Sequence, residues 1–145
     1  MNLHLQTSNF NQKQHEVGQL KQVFKPRIFA QAIQNISKTI NDNSIKRSEQ
    51  ALEVNKIITN SPYPIFVAGD INETPSSFVY DKVKGELFDG FRQGGRGFGS
   101  TYKKIFGIFR LDYIFHSKDF QCVNYFSENL EYSDHKPVFG FYRYK

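Results

Sequence analysis

Three short segments of this 145-residue chain hold most of its reactive side chains: Gly69-Asp70-Ile71-Asn72, Arg110-Leu111-Asp112-Tyr113-Ile114-Phe115 and Ser133-Asp134-His135-Lys136-Pro137-Val138. Each stands at one end of an apolar, β-rich run. Together they supply three carboxylates, a carboxamide and an imidazole, the set that hydrolysis of a phosphate ester with a hard divalent metal requires. Asp70 and Asn72 are two apart, and in extended backbone residues at that spacing point to one side. A carboxylate there can orient a water or accept its proton, and the amide can donate to a phosphate oxygen without adding negative charge. Gly-Asp-x-Asn is also good turn chemistry. Asp112 lies in an apolar run, where a carboxylate is costly unless paired; a salt bridge with Arg110 or a nearby lysine is one solution. Asp134 and His135 are adjacent and would diverge in a regular strand. In a loop ahead of Pro137 both can line one cleft.

These groups need strands and loops to hold them. Apolar and polar residues alternate over 1–6, which marks a half-buried strand, and polar residues 7–14 form a loop. Apolar residues recur at steps of three and four over 15–41, which predicts an amphipathic helix, with Pro26 either breaking it or starting a second one. Asn41-Asp42-Asn43-Ser44 reads as a turn and cap. A second helix follows over 45–59, with Ala51, Leu52, Val54, Ile57 and Ile58 inward and Glu49, Glu53 and Lys56 in water. Ser61-Pro62-Tyr63-Pro64 stops it. Residues 65–68 are continuously apolar, the pattern of a strand covered on both faces, and 70–75 form the loop at its carboxyl end. Ser76 is expected to cap a short helix running through Val83. A glycine-rich loop covers 94–99, and strands are expected at 99–103, 109–116, 120–127 and 137–144. The sum is an α/β chain forming a single domain over 1–145.

Composition narrows the function classes. Hydrophobic residues make up 39% and aromatics 16%, with fifteen Phe, eight Tyr and no Trp, enough for a packed, β-leaning core. The formal charge of +5 suits an anionic partner such as nucleic acid or a headgroup, although it is spread along the chain. A single cysteine, Cys122, rules out an internal disulfide and a cysteine-rich zinc site; in its alternating apolar stretch it reads as core. No apolar run reaches the length of a membrane span, and the first residues open straight into strand-like sequence with no signal peptide, which makes the cytoplasm the default expectation.

The order and wording of the three motifs resemble the endonuclease/exonuclease/phosphatase superfamily of DNase I-like nucleases, abasic-site endonucleases, sphingomyelinases and inositol-polyphosphate phosphatases. The resemblance implies two packed β-sheets flanked by helices, of which this chain is roughly the C-terminal half of a four-layer fold. With Glu73-Thr74-Pro75 following, the first segment is similar to the family's Gly-Asp-Phe-Asn-x-x-Pro motif. By that resemblance Asp70 activates the attacking water and contributes to a metal site, and Asn72 holds the water or the scissile phosphate. Arg-Leu-Asp-Tyr-Ile-Phe resembles the strand whose aspartate, here Asp112, orients the catalytic histidine, His135. A carboxylate bonded to imidazole fixes its tautomer and stabilises imidazolium, which can then donate to a phosphate oxygen in the transition state. Asp134 is implied as a metal ligand, Mg²⁺ or Mn²⁺ being the ions that carboxylate and amide oxygens suit. Asn2-Leu3-His4-Leu5 resembles the strand that carries a second active-site histidine, His4. Arg96 and Lys103, near the glycine-rich loop, are implied phosphate contacts, although that loop lacks the Lys-Ser/Thr of a P-loop. His15 and His116 show no partner and read as surface or core residues.

The resemblance also implies an upstream half that supplies a metal-binding glutamate. Glu16, Glu49 and Glu53 sit on helical, solvent-type patterns and do not replace it. Half of a two-sheet sandwich would expose an apolar sheet face, to be covered by that half or by a partner. The expected function is therefore metal-dependent hydrolysis of phosphate esters or phosphodiesters, of nucleic-acid, phospholipid or phosphoinositide class. Two rivals are an inactive fragment that keeps the motifs without a complete metal site, and a non-catalytic module that binds polyanions.

Overall fold

The computed structural model of the chain describes residues 1–7, 26–104 and 107–145, the side chains of 26–41 excepted. The expectations placed on 8–25, including His15 and Glu16, lie outside the described residues. In chain order the elements are β1 (Asn2–His4), α1 (Pro26–Thr59), β2 (Phe66–Asp70), α2 (Phe78–Lys84), β3 (Phe88–Asp89), α3 (Gly90–Gly94), β4 (Asp112–His116), β5 (Phe120–Ser127) and β6 (Val138–Tyr144). One sheet has the order β1-β2-β4-β3, with β1 parallel to β2 and the other pairs antiparallel. The second sheet pairs β5 with β6, antiparallel and irregular between Cys122 and Asn124.

A single helix runs where a turn was expected. Pro26 begins α1, and a proline in a first turn gives up no hydrogen bond. The helix then continues through Asn41-Asp42-Asn43-Ser44. Those residues are only mildly poor helix formers, about 0.5 kcal/mol each. Packing overrides that cost, because Asn43, Arg47, Ala51, Val54 and Ile58 are buried along one stripe of the helix. The stripe excludes Leu52 and Ile57, which were expected inward and are 43% and 57% exposed. They lie about 100° around the helix from Ala51 and Ile58. Glu53 and Lys56 form an exposed ion pair at 2.8 Å.

Strand alternation separates two kinds of packing. Leu5, Val67, Ile71, Tyr113 and Phe115 face α1 and α2 and join Ala51, Val54 and Val83 in the main core. The opposite face turns towards the second sheet, where the Phe66 ring lies 4.4 Å from Phe120 and 4.8 Å from Tyr142, and His116 lies 5.1 Å from Tyr142. Gly69 permits the close approach of β1: its φ is +147°, and a Cβ there would fall 1.8 Å from the Leu3 carbonyl oxygen. Cys122 is buried, and burial pushes its thiol pKa up.

Three boundaries differ from expectation. Ser77, rather than Ser76, caps α2, its Oγ accepting from the Tyr80 N–H at 3.1 Å. The segment 99–103 is not a strand; Tyr102 makes one isolated bridge to His135. The N–H groups of Thr101 and Tyr102 both donate to the Phe109 carbonyl, which stops a regular ladder and delays β4 to Asp112. β3, only two residues long, takes the edge beside β4. The outer face of β5–β6 is apolar and exposed, with Phe126 stacked on Phe139 and Phe141. Among the described residues no helix is long and apolar enough to cross a membrane.

Burial raises the pKa of Tyr80, Tyr113, Tyr125 and Tyr142 above the ordinary phenol range, that of Tyr80 to about 12. An unfolded chain releases these protons at about pH 10, while the folded chain keeps them. The unfolded state therefore binds fewer protons above that pH, and stability falls as pH rises. In an alkaline titration, Tyr80, Tyr113, Tyr125 and Tyr142 should ionise only as the circular dichroism collapses. A single unshifted curve for all eight tyrosines with the fold intact would contradict this burial.

Candidate active site

The registers His4↔Asp70 and Asp70↔Asp112 place three of the sequence-derived residues on one rung across β1, β2 and β4. Alternation turns all three to the face that meets the second sheet. The rung lies at the carboxyl ends of β1 and β2 and the start of β4, so it opens onto loops. One more backbone bond, from Ile71 N–H to the Leu111 carbonyl at 3.0 Å, closes the ladder beyond it.

Asn72 does reach Asp70, though not through the extended spacing expected. Its backbone is left-handed, with φ 54°, a conformation asparagine tolerates. The turn lets the Asn72 N–H donate to Asp70 Oδ1 at 2.7 Å and its Nδ2 donate to Asp70 Oδ2 at 3.1 Å. Nδ2 also lies 3.2 Å from the Leu5 carbonyl, one residue past His4.

His135 closes the cluster from the loop before β6. Its Nδ1 lies 2.8 Å from Asp112 Oδ2, and its Nε2 lies 3.9 Å from Asp70 Oδ2. With a carboxylate as acceptor, Nδ1 carries the proton and Nε2 faces Asp70. The loop is pinned on both sides of the histidine: Lys103 N–H donates to the Asp134 carbonyl at 2.9 Å, and Lys136 N–H to the Thr101 carbonyl at 2.7 Å. Thr101 is fully buried, and its Oγ1 accepts from the N–H groups of Leu111 and Asp112 at 2.9 and 3.1 Å. The Tyr102 ring lies 5.0 Å from the His135 ring.

The electrostatics follow from this crowding. The hydrogen bond to Asp112 raises the His135 pKa, aided by the charges of Asp112, Asp70 and Asp134 and opposed by burial. Burial first, then the charge of Asp112, raises the Asp70 pKa, against the pull of Asn72, His135 and His4. Both members of the 3.9 Å contact move upward, so His135 and Asp70 are not a tight ion pair. The strong partnership is Asp112 with His135.

Arg110 does not pair with Asp112. It forks onto Asp89 at 2.9 and 2.8 Å, lies between the Phe91 and Tyr113 rings, and shares Asp89 with the Tyr80 hydroxyl at 2.7 Å. The buried Tyr113 hydroxyl lies 2.9 Å from the Glu73 carbonyl and 2.5 Å from the Arg110 carbonyl. It links the loop after β2 to the segment before β4. Thr101, Tyr113, Asp89 and Glu73 were missed in the sequence because each acts through a partner far along the chain. Glu73, inside Asn72-Glu73-Thr74-Pro75, and Tyr113, inside the segment from Arg110 to Phe115, stood in segments already singled out.

Of the other sequence-derived residues, Asp134 neighbours His135, and among the described residues Lys103 and Arg96 make no contact with the cluster's carboxylates or imidazole through their side chains. Asp134 Oδ2 is 3.3 Å from Lys104 Nζ, half-exposed beside His135. Lys103 Nζ donates to the Leu130 carbonyl, and Arg96 is exposed beyond the end of α3. An open cavity of about 480 Å³ is lined by Thr74, Phe91, Arg92, Phe98 and Phe109 among others, and by none of His4, Asp70, Asn72, Asp112 or His135. Ligand atoms of Asp70, Asp112 and His135 lie within 4.8 Å of one another. Two carboxylates on one rung, one of them with its pKa raised by burial and then by the other's charge, are hard oxygen donors with a surplus of negative charge. They fit a divalent cation.

A four-stranded mixed sheet covered by helices on one face and meeting a second sheet on the other is part of a DNase I-like fold. The chain belongs to the endonuclease/exonuclease/phosphatase family, whose model matches residues 36–135. Among solved structures it is similar to a conserved protein of Enterococcus faecalis V583 (TM-score 0.61, 18% identity, 70% of this chain and 46% of that one). It is also similar to a mannosyl-6-phosphatase of Bacteroides thetaiotaomicron VPI-5482 (0.56, 24%, 68% and 46%). A third is the human Nocturnin catalytic domain with bound sulfate (0.50, 20%, 70% and 41%). The chain spans less than half the length of each. No curated protein matches it.

Proposed function

We propose that this chain forms one domain that hydrolyses phosphate esters with the help of a divalent cation. The observation that carries this is the rung His4–Asp70–Asp112 with His135 closing it. Asp70 takes a proton from the attacking water. Asn72, locked to Asp70, holds the water or the phosphate. As the water oxygen bonds to phosphorus and the ester P–O bond breaks, the His135 imidazolium donates a hydrogen bond to a phosphoryl oxygen, with Asp112 keeping its proton on Nδ1, and the leaving alkoxide takes a proton from solvent. His4 adds a second imidazole on the same rung. Asp70 with Asp112 or Asp134 would hold Mg²⁺ or Mn²⁺, which supplies positive charge against the phosphoryl oxygens. Arg96 and Lys103 are peripheral contacts for an anionic substrate, which belongs to the nucleic-acid, phospholipid, phosphoinositide or, following the mannosyl-6-phosphatase neighbour, sugar-phosphate class.

The test is hydrolysis of a chromogenic phosphodiester and a phosphomonoester by the purified chain. Turnover should require Mg²⁺ or Mn²⁺, stop with EDTA, and fall on the order of 10²-fold in Asp70→Asn. A folded chain without metal-stimulated turnover on either substrate would instead be an inactive scaffold.

A further inference from the structure

We infer that Arg47 and Glu73 form a brace that positions the segments leaving β1 and β2 just past His4 and Asp70–Asn72, which makes both of them positioning residues for the reaction proposed above. Arg47 lies on α1, remote in sequence from every motif, yet its side chain is only 3% exposed. Its Nε and Nη2 donate to Glu73 Oε1 at 2.9 and 2.7 Å. Its Nη1 donates to the Gln6 carbonyl at 3.1 Å. One guanidinium therefore grips the residue following Asn72 and the residue two past His4. One turn further along the same helix, Gln50 Oε1 accepts from the Gln6 N–H at 2.9 Å. Both backbone polar groups of Gln6 are thus held by α1.

The grip matters because the two loops also touch each other at the reactive end. Asn72 Nδ2 bridges Leu5 and Asp70, and that bridge holds only while β1 and the loop after β2 keep their spacing. The Tyr113 hydroxyl tethers Glu73 from the other side through its carbonyl. Glu73 is therefore fixed at its side chain by α1 and at its backbone by β4. A planar fork with several directed N–H groups can make this three-way contact; an ammonium, a point charge on a flexible stem, cannot hold both acceptors in fixed directions.

The inference rests on the proposed reaction, but its test has a readout separate from turnover. In Arg47→Lys, the Asn72 side-chain amide resonances should move towards those of a solvated amide. The Asn55 amide, which bonds the Lys82 carbonyl from the same helix at 2.8 Å, should stay in place. Turnover should fall roughly 10- to 100-fold in kcat with KM close to the parent value, the pattern of misplaced groups rather than lost binding. Glu73→Gln keeps an oxygen for Arg47 and should show smaller changes of the same kind; it carries the decision if Arg47→Lys does not fold. If both amides keep their positions in the folded variants and kcat is unchanged, the brace is refuted. If the Asn72 resonances move as stated while the parent chain hydrolyses nothing, the brace stands and the proposed reaction falls.

Discussion

Asp112→Asn should lower kcat by about 10³- to 10⁴-fold while leaving the circular dichroism spectrum and the substrate KM nearly unchanged. Asp112 Oδ2 lies 2.8 Å from His135 Nδ1 and accepts its proton. Asparagine has nearly the same shape, but its amide can present N–H to Nδ1 and stabilise the tautomer that leaves Nε2 protonated and the ring neutral. The substitution also removes the hydrogen bond and charge that chiefly raise the His135 pKa, so the imidazolium needed beside the phosphate is less populated. His135→Ala combined with Asp112→Asn should cost little more than either change alone, because the pair acts as a unit. A tenfold or smaller loss in Asp112→Asn, or losses that multiply in the double variant, would break the pairing.

The largest stability effect is expected away from the reactive rung. Asp89→Ala should cost about 3–5 kcal/mol, because it strands the Arg110 guanidinium in the core. Burial alone would lower the Arg110 pKa, yet the hydrogen bonds and charge of Asp89 outweigh it and hold the group charged. Asp89 also receives the Tyr80 hydroxyl and the Phe91 N–H that starts α3, so with the two arms of Arg110 one truncation orphans four donors. For a domain of this size the melting temperature should drop on the order of 10 °C. Asp89→Leu with Arg110→Met should recover much of that loss, since apolar replacements of similar volume leave no unpaired charge. Equal melting temperatures for Asp89→Ala and the parent would mean that the network is solvated.

What could be read from the sequence depended on how far apart partners lie. Asp70, Asn72, Asp112 and His135 stand in short motifs with recognisable neighbours, and the structure brings these four together. β5 and β6 follow from plain alternation. The turn at Asn41-Asp42-Asn43-Ser44 was misread because local propensity favours it, whereas Asn43 and Arg47 are buried by packing that a local window does not show. A salt bridge between Arg110 and Asp112 was one of the alternatives the sequence left open; Arg110's actual partner, Asp89, belongs to a strand too short to leave a periodic signal. Thr101 looked like part of a strand, and its use of one hydroxyl to hold the amides of Leu111 and Asp112, where β4 begins, depends on a crossing that only three dimensions reveal.

Asp70 and Asp112 face each other directly across β2 and β4, and like charges at such a position weaken the sheet that carries them. The framework is thus made poorer, as a framework, at the place where the proposed reaction would occur. Under that proposal, selection for heat resistance alone would neutralise one of the two aspartates and selection for turnover would keep both, so robustness and reactivity would be traded against each other across a single pair of residues.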